Sequence, residues 1–133
     1  MKVERVAISA DGASHGNPGP AAIGATIKDE QGKLIARISQ RIGTATNNQA
    51  EYRALITALK EAIRLGAKKV DISLDSQLVV RQISGQYRVR NAALKPLFQE
   101  VKWLIERLEA FTITHVPRNQ NREADRLANM ALR

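Results

Sequence analysis

Four carboxylates stand where the hydrophobic pattern of the chain starts or stops: Asp11, Glu51, Asp75 and Asp125. Asp11 and Asp75 occupy matching places. One follows Val6, Ile8 and Ala10 in alternation, the other Val70, Ile72 and Leu74. In an extended chain this spacing projects the acid from the opposite face of the pleat, at the C-terminal end of its strand. On parallel neighbouring strands the two would lie side by side, where α/β sheets bind ligands. Glu51 heads a row with Leu55 and Leu59, so an acid leads a stripe that otherwise faces a core, and a carboxylate turned inward needs a compensating charge. Asp125 flanks another stripe, Ala124, Leu127, Ala128 and Ala131. Singly, each acid has a plainer duty. Asp11 before Gly12 suits turn chemistry, Glu51 suits the first turn of a helix, Asp75 suits an N-cap for a helix from 76, and Asp125 suits pairing with Arg122 or Arg126. Together, four acids from four elements repel unless cations lie between them. The chain has no cysteine and two histidines, His15 and His115, so the cation these residues suit is hard and oxygen-seeking, Mg²⁺ or Mn²⁺. Two such ions about 4 Å apart could hold both sides of a phosphate, one activating water and one stabilising the leaving oxygen.

Charge points the same way. With 21 basic against 13 acidic residues the net charge is +8, and a polyanion gains by releasing its counterions to such a surface. Aromatic residues make up only 4% of the chain, which argues against a base-stacking platform and for contact through the backbone. At 133 residues one domain, 1–133, is expected. The absence of cysteine suits a reducing compartment. No apolar stretch approaches membrane-spanning length and no signal peptide is expected, so the sequence is read as a cytoplasmic protein without a membrane partner, and as a monomer.

The elements that must position the acids follow from periodicity. Residues 3–10, 21–28 and 33–42 alternate as strands, joined by the Gly/Pro-rich stretch at 11–19 and by a turn at 29–32; short connections favour an antiparallel meander. Thr46 and Gln49 form a capping-box pattern, and Tyr52, Leu55, Ile56, Leu59 and Ile63 keep helical spacing up to Gly66. A strand at 69–75, a short helix at 76–83, a helix at 94–109, a strand at 111–116, a loop at 117–121 and a helix at 123–132 complete the chain. The helix between the third and fourth strands predicts a parallel crossover. The fold class is α/β: a mixed five-stranded sheet, three antiparallel strands followed by parallel ones, flanked by helices.

Four motifs in order then carry a resemblance over nearly the whole chain: Asp-Gly-Ala-Ser-His-Gly-Asn-Pro-Gly at 11–19, Thr-Asn-Asn-Gln-Ala-Glu-Tyr at 46–52, Leu-Asp-Ser-Gln at 74–77, and His-Val-Pro-Arg-Asn-Gln-Asn-Arg-Glu-Ala-Asp at 115–125. The chain resembles the ribonuclease H type 1 family. The resemblance implies the ribonuclease H-like fold and endonucleolytic hydrolysis of the RNA strand of an RNA–DNA hybrid to 3′-hydroxyl and 5′-phosphate ends, with divalent metal. It matches the family's four acidic ligands to Asp11, Glu51, Asp75 and Asp125, and its mobile-loop histidine to His115. His15 is left as a solvent-facing turn residue. Asn17, Asn47, Asn48 and Gln77 match the groups that read the minor groove and backbone, where ribose 2′-hydroxyls distinguish hybrid from DNA. As turn and cap residues, Asn17 and Asn47 also have a local use. Thr44 and Thr46, just before a helix N-terminus, are placed to seat a phosphate of the DNA strand. Gly12 and its neighbouring glycines are read as letting a duplex approach closely.

The family's longer members carry an extra basic helix and loop for which the interval between Asp75 and His115 leaves no room. Arg81, Arg88, Arg90 and Lys95 remain there, with Tyr87 as a sugar-stacking aromatic. The partners implied are RNA–DNA hybrid and, because its minor groove also presents 2′-hydroxyls, double-stranded RNA. A non-catalytic hybrid-binding module on the same fold is the competing class; four retained acids argue against it, since a binder of phosphates would do better without them.

Overall fold

The computed structural model describes residues 3–133. β1 (Arg5–Ser14) buries Val6, Ile8 and Ala10 on one face, as their alternation requires. It does not stop at Ala10. Its antiparallel ladder with β2 (Gly19–Lys28) continues unbroken, Asp11 opposite Gly24 and Ser14 opposite Ala21. Asp11 therefore lies within the strand, and the turn shrinks to residues 15–18, with a cis Asn17–Pro18 peptide and a bond from His15 N to Pro20 O of 2.8 Å. β3 (Leu34–Ala45) outruns its expected end because Thr44 and Ala45 pair with Pro20 and Gly19.

β4 (Lys69–Leu74) and β5 (Ala110–His115) join in parallel, giving the order β3-β2-β1-β4-β5. The third and fourth strands share a direction, but β4 pairs with β1 and not with β3. Val6 sits opposite Val70 and Ile8 opposite Ile72, so β1 offers the matching apolar edge, whereas β3 is largely exposed. Ala10 opposite Leu74 places Asp11 beside Asp75.

The capping box forms as read. Thr46 Oγ1 accepts from Gln49 N at 3.2 Å and Gln49 Oε1 from Thr46 N at 2.8 Å, opening α1 (Asn47–Arg64). Glu51 falls beyond the first turn, which contains no acid, so the helix dipole does not explain it. Ser76, not Asp75, caps α2 (Gln77–Ile83), accepting from Val79 N at 3.3 Å. α3 (Lys95–Glu106) ends before 109 because Glu109 N turns to Lys68 O, 2.8 Å away, and leads the chain into β5. A 3-10 turn at Arg118–Gln120, within the expected loop, precedes α4 (Arg122–Ala131).

Tyr52, Leu55 and Leu59 of α1 and Val101 and Leu104 of α3 close the main core over Val6, Ile8, Ile23, Ile72 and Leu74. α4 packs on the other face of the sheet, chiefly on β2. Two glycines make these approaches close. A Cβ on Gly12 would stand 2.2 Å from the Ala50 carbonyl carbon in α1, and one on Gly24 would stand 2.2 Å from the Ala124 oxygen in α4. Since Asp11 pairs with Gly24, it shares the α4 face of the sheet. Among the described residues no helix is long and apolar enough to cross a membrane.

Candidate active site

Carboxylate oxygens of Asp11, Glu51 and Asp75 lie within 4.8 Å of one another. Strand register supplies the two aspartates; α1, pressed onto Gly12, supplies Glu51. The Gly12 N–H donates to Glu51 Oε1 at 2.7 Å, while Glu51 Oε2 is buried with no hydrogen-bond partner. The three acids open into a cavity of about 470 Å³ that Asp125, Arg118 and His15 also line.

Removing these acids from water has a strong effect on their protonation. Burial first, then proton sharing with and repulsion by Glu51, followed by proton sharing with Asp125 and repulsion by Asp75, pushes the Asp11 carboxyl up to about 11. Burial raises Glu51 to about 7, opposed by its bonds to Asp11 and to Gly12 N. A centre that retains protons at neutral pH for want of positive charge, with a buried oxygen left over, has the donor chemistry of a site for a hard divalent cation. Asp11, Glu51 and Asp75 fit that role. Asp125, on α4, lines the same cavity but lies outside the tight group of three. Its partner is neither Arg122 nor Arg126: Arg118 Nη2 approaches Asp125 Oδ1 at 3.2 Å, and Asn129 Nδ2 donates to the same oxygen at 3.1 Å.

The family described as reverse transcriptase-like matches residues 9–131. Ribonuclease HI of Halobacterium salinarum is 44% identical over 122 residues, covering 92% of this chain and 61% of that protein, and the crystal structure of that archaeon's RNase H1 superposes with a TM-score of 0.94 over 96% of this chain and 97% of the other. The chain belongs to the ribonuclease H family. The LC11 RNase H1 isolated from compost, solved in complex with RNA/DNA hybrid, is 41% identical with a TM-score of 0.90, covering 95% of each chain. The bifunctional protein Rv2228c of Mycobacterium tuberculosis is 43% identical over 96% of this chain, which spans only 35% of that protein. The resemblance read from the four motifs and the α/β sheet with its helices therefore stands.

Within this ribonuclease H chain the other sequence-derived residues divide. Asn47 lines the acidic cavity, and its N–H is held by Asn17 Oδ1 at 3.0 Å, so Asn17 ties the turn to the α1 N-terminus. The Thr46 hydroxyl serves the capping box. Thr44 lines a neighbouring cavity of about 420 Å³ with Arg41 and His15. Asn48 and Gln77 are exposed. Arg81 donates to the Tyr87 hydroxyl at 2.8 Å and stacks 5.2 Å from the ring centroid, away from the acids. Gly12 has its Cβ direction filled by α1, so its missing side chain serves helix packing and not duplex approach.

The two histidines differ in how they stand to the acidic cavity. His115 ends β5, exposed, and does not line the acidic cavity; His15, read as a turn residue facing solvent, is exposed but lines it. The residue most clearly missed is Arg118. It stands seven positions before Asp125, across a 3-10 turn, so no helical spacing connects the two in sequence. Tyr52 and Gln82 were missed as a pair: the buried phenol donates to Gln82 Oε1 at 2.6 Å, joining α1 to α2 behind the acids.

Proposed function

We propose that residues 1–133 form one catalytic unit, a hydrolase that cleaves the RNA strand of RNA–DNA hybrids endonucleolytically to 3′-hydroxyl and 5′-phosphate ends. The observation that carries this reading is the group of three carboxylates within 4.8 Å of one another, with Glu51 Oε2 left unpartnered. Family membership and a surface of net charge +8 supply the substrate: a nucleic acid attracted by its backbone and told from DNA by its 2′-hydroxyls. The cysteine-free chain suits the cytoplasm.

Asp11, Glu51 and Asp75, joined by Asp125, would hold Mg²⁺ or Mn²⁺, which supplies water activation and charge stabilisation at the scissile phosphate. The chain's own residues do the rest. Gly12 N fixes the orientation of Glu51. Arg118 balances Asp125 and presents a guanidinium at the rim of the cavity, where a phosphate oxygen would gain from it. Asn47, from the α1 N-terminus, and Asn17, which holds it, border the path of the RNA backbone, with Asn48 and Gln77 exposed beside them. Thr44 and Thr46 are assigned to the DNA strand. Arg81 and Tyr87, bonded and stacked on each other, are assigned to a cationic and aromatic contact farther along the duplex. His115, at the end of β5, is assigned to proton transfer or product departure at the rim.

The test is cleavage of labelled 5′-end substrates in Mg²⁺ and in Mn²⁺: an RNA–DNA hybrid, an RNA duplex and a DNA duplex with one embedded ribonucleotide. Hybrid is expected to be cut, and not by the Asp11→Asn variant. No cleavage in either metal would sink the reading, and preferred cleavage of the RNA duplex would transfer it to that substrate. Salt-dependent hybrid binding without turnover would make the chain a binding module.

A further inference from the structure

Asn121 stands between the 3-10 turn and α4 and is only 2% exposed. At the start of a helix an asparagine ordinarily turns its side-chain oxygen onto the helix's own N–H groups. Here no such bond forms. Instead Nδ2 donates to the backbone oxygen of Ala10, 2.9 Å away and 111 positions distant in sequence. Oδ1 is buried without a partner. The side chain has given up its cap and left an oxygen unsatisfied, and what it gains is a tie to β1.

The two ends of that tie explain its value. Ala10 directly precedes Asp11 in β1. The Asn121 backbone oxygen accepts from Asp125 N at 3.1 Å. One residue thus bonds on one side to the strand that carries Asp11 and on the other to the acid of α4. The helix has two further side-chain anchors on the sheet, Ser39 Oγ donating to Leu127 O at 2.6 Å and Arg41 Nε to Ala131 O at 2.6 Å, but both come from the edge strand β3, which carries none of the four acids. Gly24 admits the helix backbone between the Asn121 and Ser39 anchors. Of these three side-chain ties, the one at Asn121 is the one that reaches a strand carrying one of the acids.

We infer that Asn121 is a positioning residue for the acidic centre: its amide bond to Ala10 holds Asp125, and with it Arg118, in register with Asp11, so that cation affinity and turnover depend on it while hybrid binding does not. The inference rests on the proposed cation site, but its main readout is separate from nuclease activity.

The experiment compares Asn121→Ala and the near-isosteric Asn121→Leu with Ser39→Ala. Mn²⁺ binding is measured by titration calorimetry without nucleic acid, alongside thermal unfolding and steady-state hybrid cleavage. Both Asn121 variants are expected to bind Mn²⁺ about tenfold or more weakly, the usual effect of removing an outer partner of a metal ligand. kcat should fall with them and KM for hybrid stay within about twofold, as for an interaction that does not contribute to ground-state binding. Ser39→Ala should lower the unfolding temperature and leave Mn²⁺ affinity alone. If Asn121→Ala does not unfold cooperatively, Asn121→Leu decides, since it fills the site. Wild-type Mn²⁺ affinity in a folded Asn121 variant, or equal loss of affinity in Ser39→Ala, overturns the inference. Wild-type protein that binds Mn²⁺ but cuts no hybrid would sink the nuclease reading alone, and the calorimetric comparison would still judge Asn121. Wild-type protein that binds no Mn²⁺ would overturn both.

Discussion

Replacing Asp11 with Asn, with divalent metal removed by chelation, tests the acidic centre through stability and not turnover. Burial and mutual repulsion raise Asp11 and Glu51 from 3.8 and 4.5 to about 11 and about 7. Between those limits the folded chain holds protons that the unfolded chain has released, so stability falls as pH rises. The contribution is complete below the unfolded values and is lost as pH climbs through about 7 for Glu51 and on toward about 11 for Asp11. One retained proton corresponds to about 1.4 kcal/mol per pH unit. If the pair retains a single proton, stability falls by about 4 kcal/mol from pH 5 to pH 8. At roughly 3–5 °C per kcal/mol for a domain of this size, the melting temperature drops by roughly 12–20 °C.

The Asn variant has no proton to retain at position 11, and its Glu51 faces a neutral amide. Its melting temperature should therefore decline less steeply, meeting or exceeding that of the wild type at pH 8. Thermal unfolding by circular dichroism at pH 5, 6, 7 and 8 in EDTA measures both curves. Titration of groups outside the acidic centre is common to the two proteins and cancels in the difference. Mg²⁺ or Mn²⁺ at about 100 times its dissociation constant should then restore about 2.7 kcal/mol to the wild type at pH 8, and less to the variant. Parallel curves for the two proteins in EDTA would refute the reasoning, because they would mean that Asp11 carries no repulsion that folding must overcome.

Gly24→Ala is expected to destabilise by about 1–3 kcal/mol, since the added carbon would lie 2.2 Å from the Ala124 oxygen. The helix must then retreat by roughly 1 Å, enough to lower kcat about a hundredfold; a denaturant midpoint and a kcat both equal to wild type would show that the seat of α4 is loose. Tyr52→Phe strips the buried Gln82 oxygen of its donor and should cost about 1–3 kcal/mol in urea unfolding, while an unchanged midpoint would mean that water replaces the hydroxyl. His115→Ala should lower kcat by about a hundredfold, the low end for proton-transfer groups, with His15→Ala within about twofold. The reverse ranking in steady-state cleavage would hand the role to the histidine that lines the cavity.

What the sequence could reveal of this site depended on whether each residue's position follows from a short-range period. Asp11 and Asp75 were legible because pleat alternation puts them off the apolar face, and one register, Ala10 opposite Leu74, then brings them together. Glu51 was legible as an inward acid from its row with Leu55 and Leu59, although the helix-dipole account of it fails. The close approach of α1 that holds it depends on Gly12, which in sequence looks like a turn residue. The elements were read correctly in number and order. Their ends shifted where long-range bonds decided them, as when the ladder with β2 carried β1 past Asp11 and Lys68 drew Glu109 out of the third helix.

Arg118, Gln82 and the tie made by Asn121 were not legible, because each acts through a contact between elements whose mutual orientation no local pattern encodes. Asn121 shows the reason most plainly. In sequence it is an asparagine before a helix, and the preference of asparagine for N-caps gives it a sufficient explanation. In the fold its amide has left the helix for Ala10, at the expense of a buried oxygen. A residue that departs from the local rule it would easily satisfy is under a demand from elsewhere. Here the groups it joins are the strand that carries Asp11, through Ala10, and the first turn of α4, which carries Asp125, and those are the elements that can impose that demand.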